Sequence, residues 1–170
     1  LPKLVEKTLL TDNKIQAISN TFNEAKGSMF LGRGYSYPIA LEGALKLKEL
    51  SYIHAEGYPA GEMKHGPLAL IEDGMPVVVL APRDEYFKKT ISNMQEVIAR
   101  GAKVLLITNK EHDQVVSENI WQKIEIENIE NDLYPFLVTI PLQKLAYYTA
   151  LKKGYDIDKP RNLAKSVTVE

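Results

Sequence analysis

The sequence predicts an α/β fold, in which an open parallel sheet of the flavodoxin-like kind is covered by helices on both faces. Short apolar runs alternate along the chain with longer segments that have helical periodicity. The runs consist of consecutive Val, Leu and Ile residues, as in PVVVLAP (76–82) and AKVLLITN (102–109), which is typical of parallel strands buried on both faces. In such sheets, ligands bind beyond the carboxyl ends of the strands.

The first part of the chain is predicted to form a helix, a strand and a second helix. Residues 11–26 place apolar side chains at helical spacing, and Thr11 or Asp12 can cap this segment. The run 28–34 is a short apolar strand that ends at closely spaced glycines. Residues 37–53 then form the helix that follows this strand.

The second part continues the same alternation. Residues 84–101, with an acidic start and a glycine at the end, form the helix that connects the two long apolar strands. A fourth strand is expected at 121–127, and 132–154 is a long apolar helix. Pro135 and Pro141 lie inside that last segment, so the helix is expected to start late or to be kinked.

Composition limits the function classes. A chain of 170 residues with 45% hydrophobic and 25% charged residues is the size of one soluble domain. Its 21 basic and 22 acidic residues give a net charge of −1, so no bulk charge favours nucleic acid or anionic lipid. No linker appears before about residue 155, so we expect one domain over 1–154 and a separate C-terminal tail over 155–170.

The absence of cysteine excludes disulfide bonds, thiolate metal sites and a cysteine nucleophile within these residues. The longest apolar run is much shorter than the roughly 20 residues of a membrane-spanning helix, and Leu1 does not begin a signal peptide. We therefore expect a cytoplasmic protein that does not bind membranes. The start without Met indicates a piece of a longer protein.

Glu42, Lys46 and Glu49 share one stripe of the second predicted helix, because residues three and four apart lie on the same face. From spacing alone, a solvated ladder of ion pairs is the favoured interpretation. The alternative is a catalytic carboxylate: Glu49, steadied by the ammonium of Lys46, could remove a proton from a carbon next to a carbonyl.

The loop GYPAGEMKHGPLAL (57–70) places His65 in a short polar turn between glycines and prolines. A loop histidine usually only faces solvent, but His65 could move protons near neutral pH. His54, near the end of a helix, is expected to be structural. No histidine pair or acidic cluster has the spacing of metal ligands, and no cofactor is expected.

Two loops of the sequence are candidate phosphate sites. GRGYSYP (32–38) could present backbone N–H groups at a helix start, but it lacks the dinucleotide and P-loop patterns, so a plain tight turn is favoured. APRDEYF (81–87) carries acids where an anion would lie, so no phosphate is expected there.

The chain ends in KPRNLAKSVTVE (159–170). This segment contains Pro160, Arg161, Asn162 and Lys165, whereas chain ends usually carry few distinctive residues. Lys165 could be a surface cation. It could instead form an imine with a carbonyl substrate, provided that its pKa is lowered by burial or by a neighbouring cation.

Residues 40–70 and 158–170 closely resemble the glutamine–fructose-6-phosphate aminotransferase family, over two long motifs without gaps. The resemblance covers essentially the whole chain, as the second sugar isomerase (SIS) domain of that family and its C-terminal tail. It implies the SIS-type three-layer αβα sandwich with a central parallel sheet. It also implies a reaction in which ammonia from glutamine aminates fructose 6-phosphate and the product is isomerised to glucosamine 6-phosphate.

The resemblance implies a role for each candidate. Glu49 would carry a proton between C1 and C2 of the sugar, beside Lys46. His65 would assist ring opening in the site of a neighbouring subunit. Lys165 would form the substrate imine, and Ala164 would line the pocket.

Parts of that family's machinery are missing from this chain. The glutaminase half works through an N-terminal cysteine, and the loops that hold the sugar phosphate belong to the first SIS domain. We therefore expect the chain to depend on the N-terminal glutaminase domain and the first SIS domain of a longer protein. Alone, it should bind the sugar weakly and have little or no activity. A homodimer is also expected. The alternatives are a non-catalytic phosphosugar-binding SIS module used for regulation or dimerisation and, less favoured, a complete phosphosugar isomerase.

Overall fold

The computed structural model describes residues 1–110 and 119–163, and it has the predicted three-layer architecture. A five-stranded sheet lies at the centre, with all neighbouring strands parallel and the order β2-β1-β3-β4-β5. This is the flavodoxin-like order, whose direction reverses between β1 and β3. The predicted α/β sandwich is therefore confirmed.

The strands and helices alternate along the chain. The strands are β1 Gly27–Gly32, β2 His54–Pro59, β3 Pro76–Ala81, β4 Lys103–Asn109 and β5 Gln122–Ile126. The helices are α1 Pro2–Leu9, α2 Asp12–Glu24, α3 Ser36–Ser51, α4 Phe87–Ile98 and α5 Tyr134–Lys152. Short 3-10 segments cover Ala60–His65, Pro67–Leu70 and Asn131–Leu133. None of the helices described here is long and apolar enough to cross a membrane.

Successive residues of each central strand bury their side chains on opposite faces of the sheet, as the pleat requires. Phe30 and Val78 face one core, which α2, α3 and α5 cover. Leu31 and Val79 face the other core, which α4 and the 3-10 turn Ala60–His65 cover. The sheet thus separates α3 from that turn.

The sequence prediction missed two elements. Strand β2 was not predicted because HAEGYP lacks an apolar run, and only Ala55 is buried along it. Its position at the edge of the sheet explains this composition, since an edge strand does not need two apolar faces. His54, expected near a helix end, is instead the exposed first residue of β2. Helix α1 was also missed.

The last helix starts late, as its prolines indicated. Residues Asn131–Leu133 form a 3-10 turn, and α5 then begins at Tyr134 with Pro135 in its first turn. That position tolerates proline because its N–H would have no intrahelical acceptor. Pro141 lies inside the helix and is buried.

The start of α3 depends on a close approach at Gly32. A Cβ placed there would lie 2.3 Å from the carbonyl oxygen of Ser36 and 2.8 Å from the nitrogen of Tyr37. Both are backbone atoms that cannot rotate away. Any side chain at Gly32 would therefore displace the first turn of α3.

We predict that Gly32→Ala lowers the free energy of unfolding by about 1–3 kcal/mol, the usual cost of overpacking a tight site. The matched control is Gly27→Ala at the other end of β1, where the nearest atom to an added Cβ is 3.4 Å away. Urea denaturation followed by circular dichroism measures both. Equal midpoints for the two variants would contradict the account.

Candidate active site

Lys46 and Glu49 form a direct ion pair on α3. The Lys46 ammonium donates a hydrogen bond of 2.7 Å to the Glu49 carboxylate, and the Glu42 carboxylate lies 3.7 Å from the same nitrogen. The side chains of Lys46 and Glu49 are 31% and 26% exposed, so the pair is partly shielded and still reachable by a small molecule. The predicted stripe is confirmed as a contact.

The hydrogen bond to Glu49 raises the pKa of Lys46 above its ordinary value. Partial burial acts in the opposite direction, and the charges of Glu49 and Glu42 add to the increase. Lys46 therefore stays protonated at neutral pH. In this state it can hold the Glu49 carboxylate in place, but it cannot act as a nucleophilic amine, which must be neutral.

The pair lies at the amino edge of the sheet, away from the edge where ligands usually bind in this fold. Helix α3 runs back from the carboxyl end of β1, and β2 starts only two residues beyond Tyr52, level with Gly27 at the start of β1. Glu49 is one turn before that helix end.

The segment after α5 is fixed to this same end of α3. The backbone N–H of Arg161 donates to the Tyr52 hydroxyl at 2.8 Å, and its guanidinium lies over the Tyr52 ring, 4.0 Å from the centroid. Tyr155 packs on the same ring at 4.8 Å between centroids. Asn162 has φ 62°, a left-handed conformation that asparagine adopts more readily than most residues. The sequence did not indicate Tyr52 as the partner of this segment.

Lys165 and Ala164, the two predicted site residues of the tail, lie outside the described residues.

His65 lies in the other outer layer of the sandwich. It is the last residue of the 3-10 turn Ala60–His65. The side chain of Met63 in this turn is fully buried and packs in the core. Because the sheet separates this turn from α3, the chain does not bring His65 to Glu49. These two predicted site residues remain apart within one copy.

Sequence reasoning overlooked the partner of His65. The Nδ1 atom of His65 lies 2.7 Å from the Glu62 carboxylate, and both side chains project into solvent. The signal that could have found it is the spacing of three residues, which aligns side chains in a 3-10 turn.

A crevice of about 400 Å³ opens at the carboxyl edge, where the strand order reverses. It is lined in part by Tyr35, Ser36, Asp84, Glu85 and Tyr134. Burial raises the pKa of Asp84, and burial together with the charge of Asp84 raises that of Tyr134. Two acids and no basic side chain line this crevice, which therefore disfavours a phosphate.

The GRGYSYP loop is a closed turn. The backbone N–H of Ser36 donates to the Arg33 carbonyl at 2.9 Å, and that of Tyr37 donates to the Gly34 carbonyl at 3.2 Å. These two donors are therefore not directed at an anion. The favoured interpretation as a tight turn agrees with this geometry.

Within residues 1–110 and 119–163, no group of three His, Asp or Glu side chains is arranged to hold a metal ion.

Comparison with known proteins agrees with this geometry. The SIS domain family model matches residues 21–153. Over all 170 residues the chain is 54% identical to glutamine–fructose-6-phosphate aminotransferase [isomerizing] of Bartonella henselae and 53% identical to that of Escherichia coli. The chain spans 28% of the length of each of these relatives. The resemblance seen in the motifs is confirmed.

Solved structures give the same result. The C-terminal domain of glucosamine-fructose-6-phosphate aminotransferase from Francisella tularensis is 48% identical with a TM-score of 0.89, over 92% of this chain and 44% of that chain. The sugar isomerase domain of an RpiR transcription factor from Sphaerobacter thermophilus has a TM-score of 0.73 over 89% of this chain and 86% of that one, but at 15% identity it shows the fold alone. With the family model matched from α2 to the end of α5, the chain belongs to the sugar isomerase (SIS) domain family.

Proposed function

We propose that this chain supplies the proton-transfer half of the isomerase site of a glutamine–fructose-6-phosphate aminotransferase. Glu49 carries a proton from C1 to C2 of the aminated fructose 6-phosphate, and the product is glucosamine 6-phosphate. Lys165 forms the imine with the incoming sugar, and Ala164 lines the pocket. The whole protein is a cytoplasmic transferase of amino-sugar biosynthesis.

The observation that carries this proposal is the docking of Arg161 on Tyr52, one helical turn beyond Glu49. Lys165 is four positions after Arg161 in the sequence, and an extended chain covers at most about 3.6 Å per residue, or about 14 Å here. This reach would allow Lys165 to act beside the Lys46–Glu49 pair, as the proposal requires.

The two lysines have different tasks in this scheme. Lys46 is held protonated by Glu49, so it orients the carboxylate and balances its charge. The imine needs a neutral amine, which leaves Lys165 as the proposed nucleophile. A protonated Lys46 in the same site would lower the pKa of a second lysine brought near it, because like charges oppose protonation.

A second copy of the chain completes the proposed site. His65 and Glu49 lie in opposite outer layers, so ring opening by His65 requires a neighbouring subunit. Helix α3 offers an apolar stripe for this pairing, since Leu41 and Leu45 are 43% and 40% exposed next to the Lys46–Glu49 pair. We therefore propose a homodimer through its helices.

The groups that bind the sugar phosphate and supply ammonia belong, in this proposal, to other domains of the full-length enzyme. The crevice at the carboxyl edge carries Asp84 and Glu85, so the sugar phosphate is held by the first SIS domain. Ammonia comes from the N-terminal glutaminase domain. Alone, this chain is expected to bind the sugar phosphate weakly and to have little or no synthase activity.

We predict that Glu49→Gln in the full-length enzyme lowers isomerisation by about 10²–10⁴-fold, because the amide cannot accept the C1 proton. Sugar binding should change little, so kcat falls while KM is nearly unchanged. The matched control is Glu42→Gln, which makes the same charge change 3.7 Å from Lys46 and should keep most of the turnover. Isomerisation rates that are equal in Glu49→Gln and the wild type would remove Glu49 as the base.

We also predict that Tyr52→Phe loosens the start of the tail. The variant keeps the aromatic ring below the Arg161 guanidinium. It removes the hydroxyl that accepts a hydrogen bond from the backbone N–H of Arg161. A hydrogen bond of this kind contributes about 0.5–1.5 kcal/mol, so exchange of the Arg161 amide should become about two- to tenfold faster in hydrogen–deuterium exchange. Tyr147→Phe, on the exposed face of α5, is the control. Equal exchange in the three proteins would mean that the hydroxyl does not anchor the tail.

A further inference from the structure

We infer that Glu62 is a positioning residue for His65. It holds the imidazole in the tautomer with the proton on Nδ1, which leaves Nε2 as the ring atom that exchanges a proton with the sugar. This inference rests on the proposed function, because it specifies how His65 would act in ring opening.

The local backbone geometry brings the two side chains together. Residues Ala60–His65 form a 3-10 turn, in which side chains three positions apart lie directly above one another. Glu62 and His65 have this spacing, and their Oε2 and Nδ1 atoms are 2.7 Å apart. The turn stops at Gly66, whose φ of 140° is unfavourable for any side chain. The backbone therefore sets the pairing.

The chemistry of the two groups determines which nitrogen of His65 carries the proton. An ionised carboxylate can only accept hydrogen bonds, so the Nδ1 atom of a neutral His65 must carry the proton that it shares with Glu62. Nε2 then has a lone pair and no proton. Because a histidine that donates through one nitrogen is held in one tautomer and one orientation, its other nitrogen is ready to accept a proton.

The turn itself is held by contacts on three sides. The Arg33 guanidinium lies against Gly61, where an added Cβ would be 2.5 Å from Nη2, and it donates to the Asn93 side chain at 3.1 and 2.9 Å. Lys64 pairs with Glu96 of α4 at 2.9 Å.

Met63 is fully buried in the core below the turn. A turn fixed in this way presents Glu62 and His65 in a constant orientation although both are exposed. Of the two ion pairs in the turn, only that of His65 faces solvent on both sides, since the Glu96 side chain is 19% exposed. The Glu62–His65 pair is therefore available to a ligand. The Lys64–Glu96 pair instead holds the turn against α4.

The direct test is the ¹⁵N spectrum of the histidine rings of this chain at about pH 8.5, which is about two pH units above the pKa of a free histidine side chain. The chain has 3 histidines, and His65→Gln assigns the signal of His65. We expect a protonated Nδ1 and an unprotonated Nε2 in the wild type. In Glu62→Ala, a shift of the population toward protonated Nε2 is expected. A protonated Nε2 in the wild type would overturn the inference, whatever the kinetics show.

The second test uses the full-length enzyme. We expect Glu62→Gln to lower kcat about tenfold with KM little changed, which is less than the loss of about 10²-fold or more expected for His65→Gln. Glu72→Gln, the same charge change at an exposed position seven residues further along the chain, is the control and should leave kcat unchanged.

The outcomes separate the two proposals. A wild-type rate in Glu62→Gln together with a slow His65→Gln variant would show that His65 acts without Glu62 and would overturn the inference. Wild-type rates in both would remove His65 from the proposed reaction, and this inference with it, while the roles of Glu49 and Lys165 would still be decided by their own variants.

Discussion

The site depends on how closely α3 packs against the sheet. Three glycines allow this approach: a Cβ at Gly32 or Gly57 would lie 2.3 Å and 2.8 Å from backbone atoms of α3, and one on Gly43 of α3 would lie 2.9 Å from the Leu142 side chain. With β1 and β2 on one side and α5 on the other, α3 has little freedom to shift. Its polar stripe, and therefore the Lys46–Glu49 pair, is fixed by that packing.

The direction of α3 then decides which residues can meet. Because it runs from the carboxyl end of β1 to the amino end of β2, its last turn brings Glu49 and Tyr52 to the amino edge of the sheet. Arg161 reaches the same edge after α5 and docks on Tyr52. His65 lies beyond β2 in the other layer, so a single copy cannot complete a site that uses all of these residues.

Much of this arrangement could be predicted from the sequence. Continuous Val and Leu runs identified β3 and β4, because central parallel strands must be apolar on both faces. The Lys46–Glu49 contact followed from helical spacing alone. Strand β2 could not be found in this way. An edge strand buries few side chains, and the sequence of β2 has no regular pattern of apolar residues.

The parts of the site that the sequence did not predict are contacts between distant segments. The docking of Arg161 on Tyr52 joins residues more than a hundred positions apart, and neither residue has a local pattern that marks it. The hydrogen bonds from Arg33 to Asn93, next to the turn Ala60–His65, also join distant segments. The Glu62–His65 pair differs, because its spacing was visible and only the 3-10 geometry of the turn gave that spacing a meaning.

The claim that unites these observations is that the end of the chain and the last turns of α3 form one sugar site. The most direct measurement is mass spectrometry of the full-length protein after reduction with borohydride in the presence of fructose 6-phosphate, with the adduct located by proteolysis. The account predicts a sugar on Lys165 and none on Lys46, which Glu49 keeps protonated. An adduct on Lys46 or on another lysine, with Lys165 unmodified, would contradict it.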